Sequence, residues 1–343
     1  MKRYLISIVL LVLSVGVFAQ GKEPMVFSAF NKAEVEKTDG ILPVYRMGDK
    51  CYLEIPVKML GREMFLSGCV VRGTGLSYTL TEGLGVVVFK MEPGHRVSLS
   101  KGILGERVSD TTSGMYKLMS ERVLEPVDFL YNVVAYGADG KSPIVDITAL
   151  VKSSPEWFGS AERGAIDASK CEVTGVERLE DGVKFSVVRV HSFAKQGFMG
   201  IPGKEGITPI EMACIIRVLP EKSMVVRYAD PRVGYRTLSY LDYGRNPQGV
   251  EKMSLIYKWN LSIAPEDQAL VERNQLVAPE KPIVFYISQE VPERFRPAIR
   301  EGILAWQVAF EQAGFKGALQ VKDADQTVDL ALADAVVTCS PTS

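Results

Sequence analysis

Histidine is nearly missing from this sequence. The 343 residues contain two, His95 and His191, far apart in the chain. A peptidase zinc site of the H-E-x-x-H type needs two imidazoles one helical turn apart, with a glutamate between them to take a proton from bound water. No such string occurs, so no complete catalytic zinc site of that kind can be assembled from these residues. The five cysteines, Cys51, Cys69, Cys171, Cys214 and Cys339, include no C-x-x-C pair. That excludes a zinc knuckle and a dithiol redox motif. There is no G-x-S-x-G nucleophile elbow, and "RGTGLS" (Arg72 to Ser77) reads as a loop, not a strand-to-helix turn. "GREMF" (Gly61 to Phe65) has no phosphate-cradling pattern. An excess of one charge is lacking too: 40 basic residues face 41 acidic ones, for a formal net charge of −1. Nucleic acid, which needs a basic face, is not an expected partner. No repeat or low-complexity tract interrupts a composition that is 47% hydrophobic, enough for two globular cores.

What is present begins with a leader. Lys2 and Arg3 precede an apolar run from Tyr4 to Val17, and Val17-Phe18-Ala19 sets small side chains at the positions a signal peptidase reads. The run is shorter than the roughly 20 residues of a spanning helix. A cleaved signal peptide over 1–19 is expected, with export to the periplasm, cell surface or medium and no membrane span afterwards. Export would permit disulfides, and the odd cysteine count would leave one thiol over. Cys51 alternates with Leu53 and Ile55, and Cys214 with Met212 and Ile216. Buried free thiols are the better reading of that pattern.

From about Leu42 to Ile263 the apolar pattern has mostly period two. Turn residues bound each run. Paired runs flank Gly48-Asp49-Lys50, Glu92-Pro93-Gly94-His95, Ala138-Asp139-Gly140-Lys141 and Asp181-Gly182, the last being a strong hairpin signal. Further strands are expected at Ile210–Leu219, Ser223–Tyr228, Tyr235–Leu241 and Met253–Ile263. Ten or more strands at this spacing predict a mainly β fold, an antiparallel sandwich or barrel.

The character changes near Ala264. Ala278-Pro279-Glu280-Lys281-Pro282 reads as a linker. The short apolar strand "IVFYI" (Ile283 to Ile287) follows, and then a helix with Pro297 in its first turn. Ile299, Ile303, Trp306 and Phe310 recur at helical spacing, and Gly314 supplies a stop. Ala318 to Lys322 reads as a second strand, so a βαβ-like unit begins here.

One string remains, "RYADPRVGYRTLSYLDYG" (Arg227 to Gly244). Arg227, Asp230, Arg232 and Arg236 crowd charge into an apolar, aromatic segment. Two readings stand: an ion-paired corner between strands, or an interdomain or ligand-facing loop in which Arg232 holds a carboxylate bidentately.

The strings "YLEIPVKMLGREMFLSGCVVRGTG", "VVRYADPRVGYRTLSYLDYG" and "LVAPEKPIVFYISQEVPERFRPAIREGILAWQVAFEQAGF" together resemble a family of secreted bacterial zinc-dependent metalloproteases. In that family a short N-terminal segment and a β-rich domain precede a metzincin-like peptidase domain. The resemblance implies a short segment over 20–60, a β-rich domain over 61–264, a linker over 265–282, and an incomplete zincin-like α/β segment over 283–343. It implies that Ile283–Ile287 is the first strand of the peptidase sheet and that the helix from about Arg296 to Ala313 backs it. The zinc-binding helix would lie downstream, so no catalytic, cofactor-binding or metal-ligating residue carries over to this chain. Zinc is the cofactor of the full-length family only. The expected function is the non-catalytic N-terminal portion of such a hydrolase, inactive by itself. Its expected partners are a polypeptide substrate or the remaining peptidase domain. The alternative is a secreted β-sandwich that binds a ligand or regulates, with a vestigial peptidase stub.

Overall fold

The computed structural model describes residues 23–31, 34–73, 82–102, 105–122, 126–159, 165–193, 206–246, 248–325, 327–333 and 335–337. The expected signal peptide, Cys339 and residues 74–77 of the glycine-containing loop lie outside the described residues. The chain divides into two compact units. The first is drawn from Met1–Arg72, Thr81–Ile103 and Arg122–Leu219, the second from Gly73–Leu80, Leu104–Glu121 and Pro220–Ser343.

The first unit is one large, almost wholly antiparallel sheet. Its strands are β1 (Glu36–Thr38), β2 (Val44–Met47), β3 (Lys50–Glu54), β4 (Glu63–Gly73), β5 (Glu82–Glu92) and β6 (Arg96–Lys101). After β7 (Glu106–Arg107), which joins the second unit, come β8 (Phe129–Tyr136), β9 (Pro143–Asp146), β10 (Ala165–Ile166), β11 (Glu172–Arg178), β12 (Gly182–Phe193) and β13 (Gly206–Val218). They pair in the order β1-β2-β3-β9-β8-β6-β5-β4-β13-β12, and both β10 and β11 pair with the far side of β12. The two ends of this path approach each other. Arg46 Nη1 on β2 lies 3.5 Å from the Thr174 carbonyl on β11, and Gly40 abuts the Arg178 side chain. Irregular register at Leu66/Ser67, Val133/Ala135 and Val173/Gly175 adds the local bending that curls a sheet. The result is a nearly closed, barrel-like sheet.

Alternation explains what fills it. Cys51, Leu53 and Ile55, then Met64, Leu66 and Val70, Val87 and Phe89, Val97 and Leu99, and Val183, Phe185 and Val187 are all buried in one core. Side chains of opposite parity, Tyr45, Tyr52 and Ile144, face outward and are covered by α1 (Phe27–Phe30), whose Phe30 ring meets Tyr45 and Tyr52 edge-on at 5.4 and 5.3 Å. So residues before 61, which the sequence set apart as a short segment, supply three strands and a helix to the same sheet system. The expected hairpins around 48–50, 92–95, 138–141 and 181–182 all form. Gly182 is needed for a different reason than turn geometry. A Cβ there would lie 1.9 Å from the Ile216 carbonyl of the neighbouring strand.

Past α2 (Gly114–Arg122), two short helices, α3 (Thr148–Ser153) and α4 (Pro155–Phe158), carry Leu150, Val151, Trp157 and Phe158 into the barrel core. They are fixed by Arg189 on β12, which is fully buried. Its Nη1 donates to the Gly159 carbonyl and its Nη2 to the Val151 carbonyl, each at 2.9 Å. Phe158 presses its carbonyl so close to β4 that a Cβ on Gly68 would sit 1.6 Å from it.

The second unit holds two small sheets. In one, β14 (Thr237–Asp242) lies between β15 (Glu251–Ile256) and the parallel β7. The other is parallel throughout, in the order β17-β16-β18, from β16 (Ile283–Ile287), β17 (Leu319–Asp323) and β18 (Ala335–Val337). Between the sheets in sequence lie α5 (Gln268–Glu272) and the two-proline stretch. The long helix expected after Pro297 is two helices, α6 (Arg296–Leu304) and α7 (Gln307–Gln312). At the break Trp306 N bonds to Ile303 O at 3.2 Å, a three-residue return that tightens the turn. The strand expected over Ser223–Tyr228 forms no ladder, only an isolated bridge from Tyr228 to Leu255. The strand expected over Met253–Ile263 ends at Ile256, beyond which Trp259 turns toward Phe285.

Two substitutions test the barrel interior. Arg189→Ala strands two buried carbonyls, and we expect a loss of about 3 kcal/mol in stability. Gly68→Ala forces α4 away from β4, with an expected loss of about 3 kcal/mol or more. Hydrogen exchange of the β4 and β12 amides measures both. Wild-type protection in either variant would contradict this account.

Candidate functional site

An open apolar pocket lies beside the parallel sheet of the second unit. "IVFYI" is β-branched and aromatic, which suits a strand buried on both sides. Ile283 and Ile287 are buried, whereas Phe285 at its centre is only half covered. Helices α6 and α7 lie between β16 and β17 in sequence. Ile299, Gly302 and Ile303, then Trp306 and Phe310, fall at three-to-four-residue spacing and share one face. With Trp259, Phe285 and Leu319 they line a pocket of about 390 Å³. Trp259 meets Phe285 with ring centroids 6.4 Å apart. The four helix residues singled out in the sequence are thus brought together. They are not sealed, however, because Trp306 is 68% exposed. A Cβ on Gly302 would meet nothing within 4 Å. No ionisable side chain lines the pocket, so it can shelter an apolar group but supplies no acid or base.

On the opposite side of α6 a wider polar groove of about 780 Å³ runs past Arg296, Arg300, Glu301 and Asp323. Its arginines are engaged by the fold. Arg300 donates to the Val321 carbonyl at 2.6 Å and to the Asp323 carboxylate at 2.7 Å. Arg296 donates to the carbonyls of Val291 and Gln289 at 2.9 and 3.0 Å. Gln307 Oε1 accepts from Leu319 N at 3.1 Å. Arg300 and Gln307 therefore cover the outer main-chain edge of β17.

The loop singled out by its charge behaves locally. Arg232 donates through Nε and Nη2 to the two oxygens of Asp230, at 2.9 and 2.6 Å, and its main-chain N–H donates to the same carboxylate at 3.0 Å. These bonds hold the Asp230 carboxyl below its usual range and the Arg232 guanidinium above its own. The bidentate fork is thus occupied within the loop. Arg227 stands apart from this pair, its carbonyl accepting from Ile256 N at 3.0 Å. Arg236 lies over the Tyr257 ring and Arg245 over Tyr228, 5.1 and 5.7 Å from the ring centroids.

The histidines stay apart. His95, in the left-handed region at φ 55°, has Nδ1 2.8 Å from the Tyr136 hydroxyl in an exposed turn. His191 is buried on β12 opposite Ile166 and Thr208. Among the described residues, no group of three or more His, Cys, Asp or Glu side chains is placed to hold a metal ion. The donors placed together among the described residues do not fit a zinc ion. Cys51, Cys171 and Cys214 are buried free thiols and Cys69 is half-buried. Burial pushes the Cys51 and Cys214 thiols up to about 11, in Cys214 against the opposing charge of Arg189, so both are poor nucleophiles. Sequence reasoning missed Arg189. Its one signal was a charged residue on the inward parity of Val183, Phe185 and Val187.

A family described as Domain of unknown function (DUF5117) matches residues 81–264, and a second, Domain of unknown function (DUF5118), matches residues 24–73. No curated protein and no solved structure matches the chain. No helix among the described residues is long and apolar enough to cross a membrane.

Filling the pocket tests whether it is open. Gly302→Leu replaces a poor helix former and occupies empty space, so α6 should gain about 1 kcal/mol. Binding of the apolar dye ANS should fall in the same variant. Unchanged dye fluorescence would mean that the pocket is not the accessible apolar surface.

Proposed function

Because the chain belongs to the family described as Domain of unknown function (DUF5117), whose match ends before the helices that wall the apolar pocket, we propose that it is the non-catalytic N-terminal portion of an exported zinc-dependent metallopeptidase. In this reading the barrel and the small mixed sheet are accessory parts, and the parallel sheet with its helices is the opening of the peptidase domain. The observation that carries the reading is the open apolar face formed by Ile299, Ile303, Trp306 and Phe310 beside β16. A helix backing a parallel sheet normally buries that stripe. Leaving large apolar side chains in water forgoes about 1.5–3 kcal/mol each. A further peptidase element lying over this face would recover much of that. The metal's contribution in such an enzyme is a water made nucleophilic near neutral pH. The residues described here hold no such metal and take no part in that step; their role is to position the domain that does. The alternative of a ligand-binding barrel is weakened by the interior, which Trp157, Phe158 and Phe89 help to fill.

The test is to sequence the DNA from upstream of the Asp323 codon to well past that of Ser343. We expect a stretch encoding H-E-x-x-H in one frame. The protein spanning both parts should cleave casein in a chelator-sensitive way while the present chain does not. Unrelated sequence downstream would sink the proposal.

A further inference from the structure

The small mixed sheet of the second unit has an unguarded edge at β15. One side of β15 is paired with β14. Among the described residues its other side is met by residues 227–229, where Ile256 N donates to the Arg227 carbonyl at 3.0 Å and Ala229 N donates to the Ser254 carbonyl at 2.8 Å. In antiparallel pairing, successive residues direct their main-chain groups to opposite sides. With Arg227 and Ala229 turned to β15, the N–H and C=O of Tyr228 turn away from it, and Val226 precedes this bridge with no ladder partner of its own among the described residues. Among the described residues neither N–H donates a main-chain hydrogen bond. The side chains here are apolar and open: Val225 is 82%, Val226 55% and Tyr228 48% exposed. An extended apolar edge of this kind is normally blunted by a charge, a proline, a bulge or a covering side chain. The same unit does so on β17, where Arg300 and Gln307 cover the edge. On Met224–Tyr228 the Arg245 guanidinium lies over the Tyr228 ring, but among the described residues no side chain is hydrogen-bonded to the main chain of Val226 or Tyr228.

Charge indicates what would pair there. Residues 222–258 contain seven Lys and Arg against three Asp and Glu, in a chain whose formal net charge is −1. All three acids are engaged. Asp230 is held by Arg232 at 2.6 Å and Glu251 by Arg245 at 3.3 Å. Asp242 is buried, accepting from the N–H groups of Ser109 and Gly244 at 3.1 and 2.9 Å. Within residues 222–258 no carboxylate is left for Arg227, Arg236, Lys252 and Lys258; the sheet's remaining acid is Glu106 on β7, which accepts from the Tyr243 hydroxyl at 3.4 Å.

We infer that the Met224–Tyr228 edge binds an acidic polypeptide segment in extended conformation, which adds to the sheet as a further strand. Main-chain hydrogen bonds at Val226 and Tyr228 supply the pairing, and the surrounding basic side chains select glutamate and aspartate over lysine. The inference rests on this edge and its charge, and it stands or falls separately from the peptidase reading.

The experiment measures fluorescence anisotropy on the full chain. The probe is a labelled octapeptide alternating valine and glutamate; the comparisons are its valine–lysine counterpart and a version N-methylated at alternate residues. Expected are binding of the glutamate peptide that weakens with added NaCl, and a loss of about tenfold or more in affinity on N-methylation, in Val226→Pro and in Arg227→Glu. The Val226 N–H makes no bond within the sheet, so V226P should keep the wild-type circular dichroism and melting temperature. If it unfolds, the N-methylated peptide decides the question on the unaltered chain. Equal binding of the lysine or N-methylated peptide, or no binding of the glutamate peptide, overturns the inference. So does a dimer in sedimentation that V226P dissociates, since the edge would then belong to a second copy of the chain.

Discussion

A guanidinium enclosed in a barrel cannot turn to water, so its donors have to be met by the chain around it. Arg189 meets most of that constraint with two main-chain carbonyls, of Val151 at the end of α3 and of Gly159 just past α4, while its Nε has no hydrogen-bond partner among the described residues. Met212 Sδ and Cys214 Sγ stand 3.6 Å away on the other side. Among the described residues no carboxylate is a hydrogen-bond partner of Arg189. A positive charge at the C-terminal ends of two short helices is favourable, because their free carbonyls are concentrated there. Helices of six and four residues have little stability of their own. They persist because Leu150, Val151, Trp157 and Phe158 are buried and because Arg189 ties their ends to β12. Gly68 then has to be glycine to admit the Phe158 carbonyl, and β4 takes its place accordingly.

The two units handle sheet edges differently. The barrel brings its ends together until Arg46 reaches Thr174 and Gly40 reaches Arg178, which leaves little edge to protect. The second unit is built from short open sheets, and each edge has to be managed singly. Arg300 and Gln307 do so for β17, at the cost of fixing their polar ends on main-chain groups. A closed sheet needs no partner to satisfy its backbone. An open one depends on side chains, water or another chain.

The hairpins of the barrel were legible because period-two alternation and turn residues are local signals. The apolar face of the α6–α7 region was legible for the same reason. What escaped the sequence was long-range or short in extent. That β1–β3 share a sheet with strands near residue 145 is decided by pairing across some ninety residues, as between Leu53 and Val145. Helices α3 and α4 are too short to show a helical period. Ser223–Tyr228 has the composition of a strand but forms no ladder, since composition reports a tendency and not a neighbour. Asp181-Gly182 marked a hairpin correctly, but the glycine is required by the Ile216 carbonyl of β13, which no dipeptide rule can see. For the candidate sites, Arg232 was read as either a corner or a ligand-facing residue. Only its distances to Asp230 show that its fork is engaged within the loop.

Chain-wide totals concealed the other feature of interest. A net charge near zero is the sum of regions that differ, and the stretch 222–258 departs from it while its acids are all engaged locally. Excluding nucleic acid on the total is therefore an argument about the whole surface, not about this sheet. What favours polypeptide there is the backbone: a row of outward N–H and C=O groups is complementary to another extended chain, whereas a phosphate backbone offers acceptors but no donors at that spacing. The pocket beside α6 is lined by no ionisable side chain and selects mainly by shape and apolarity. The second unit thus presents two surfaces that discriminate by different physics, and a ligand suited to one has no reason to prefer the other.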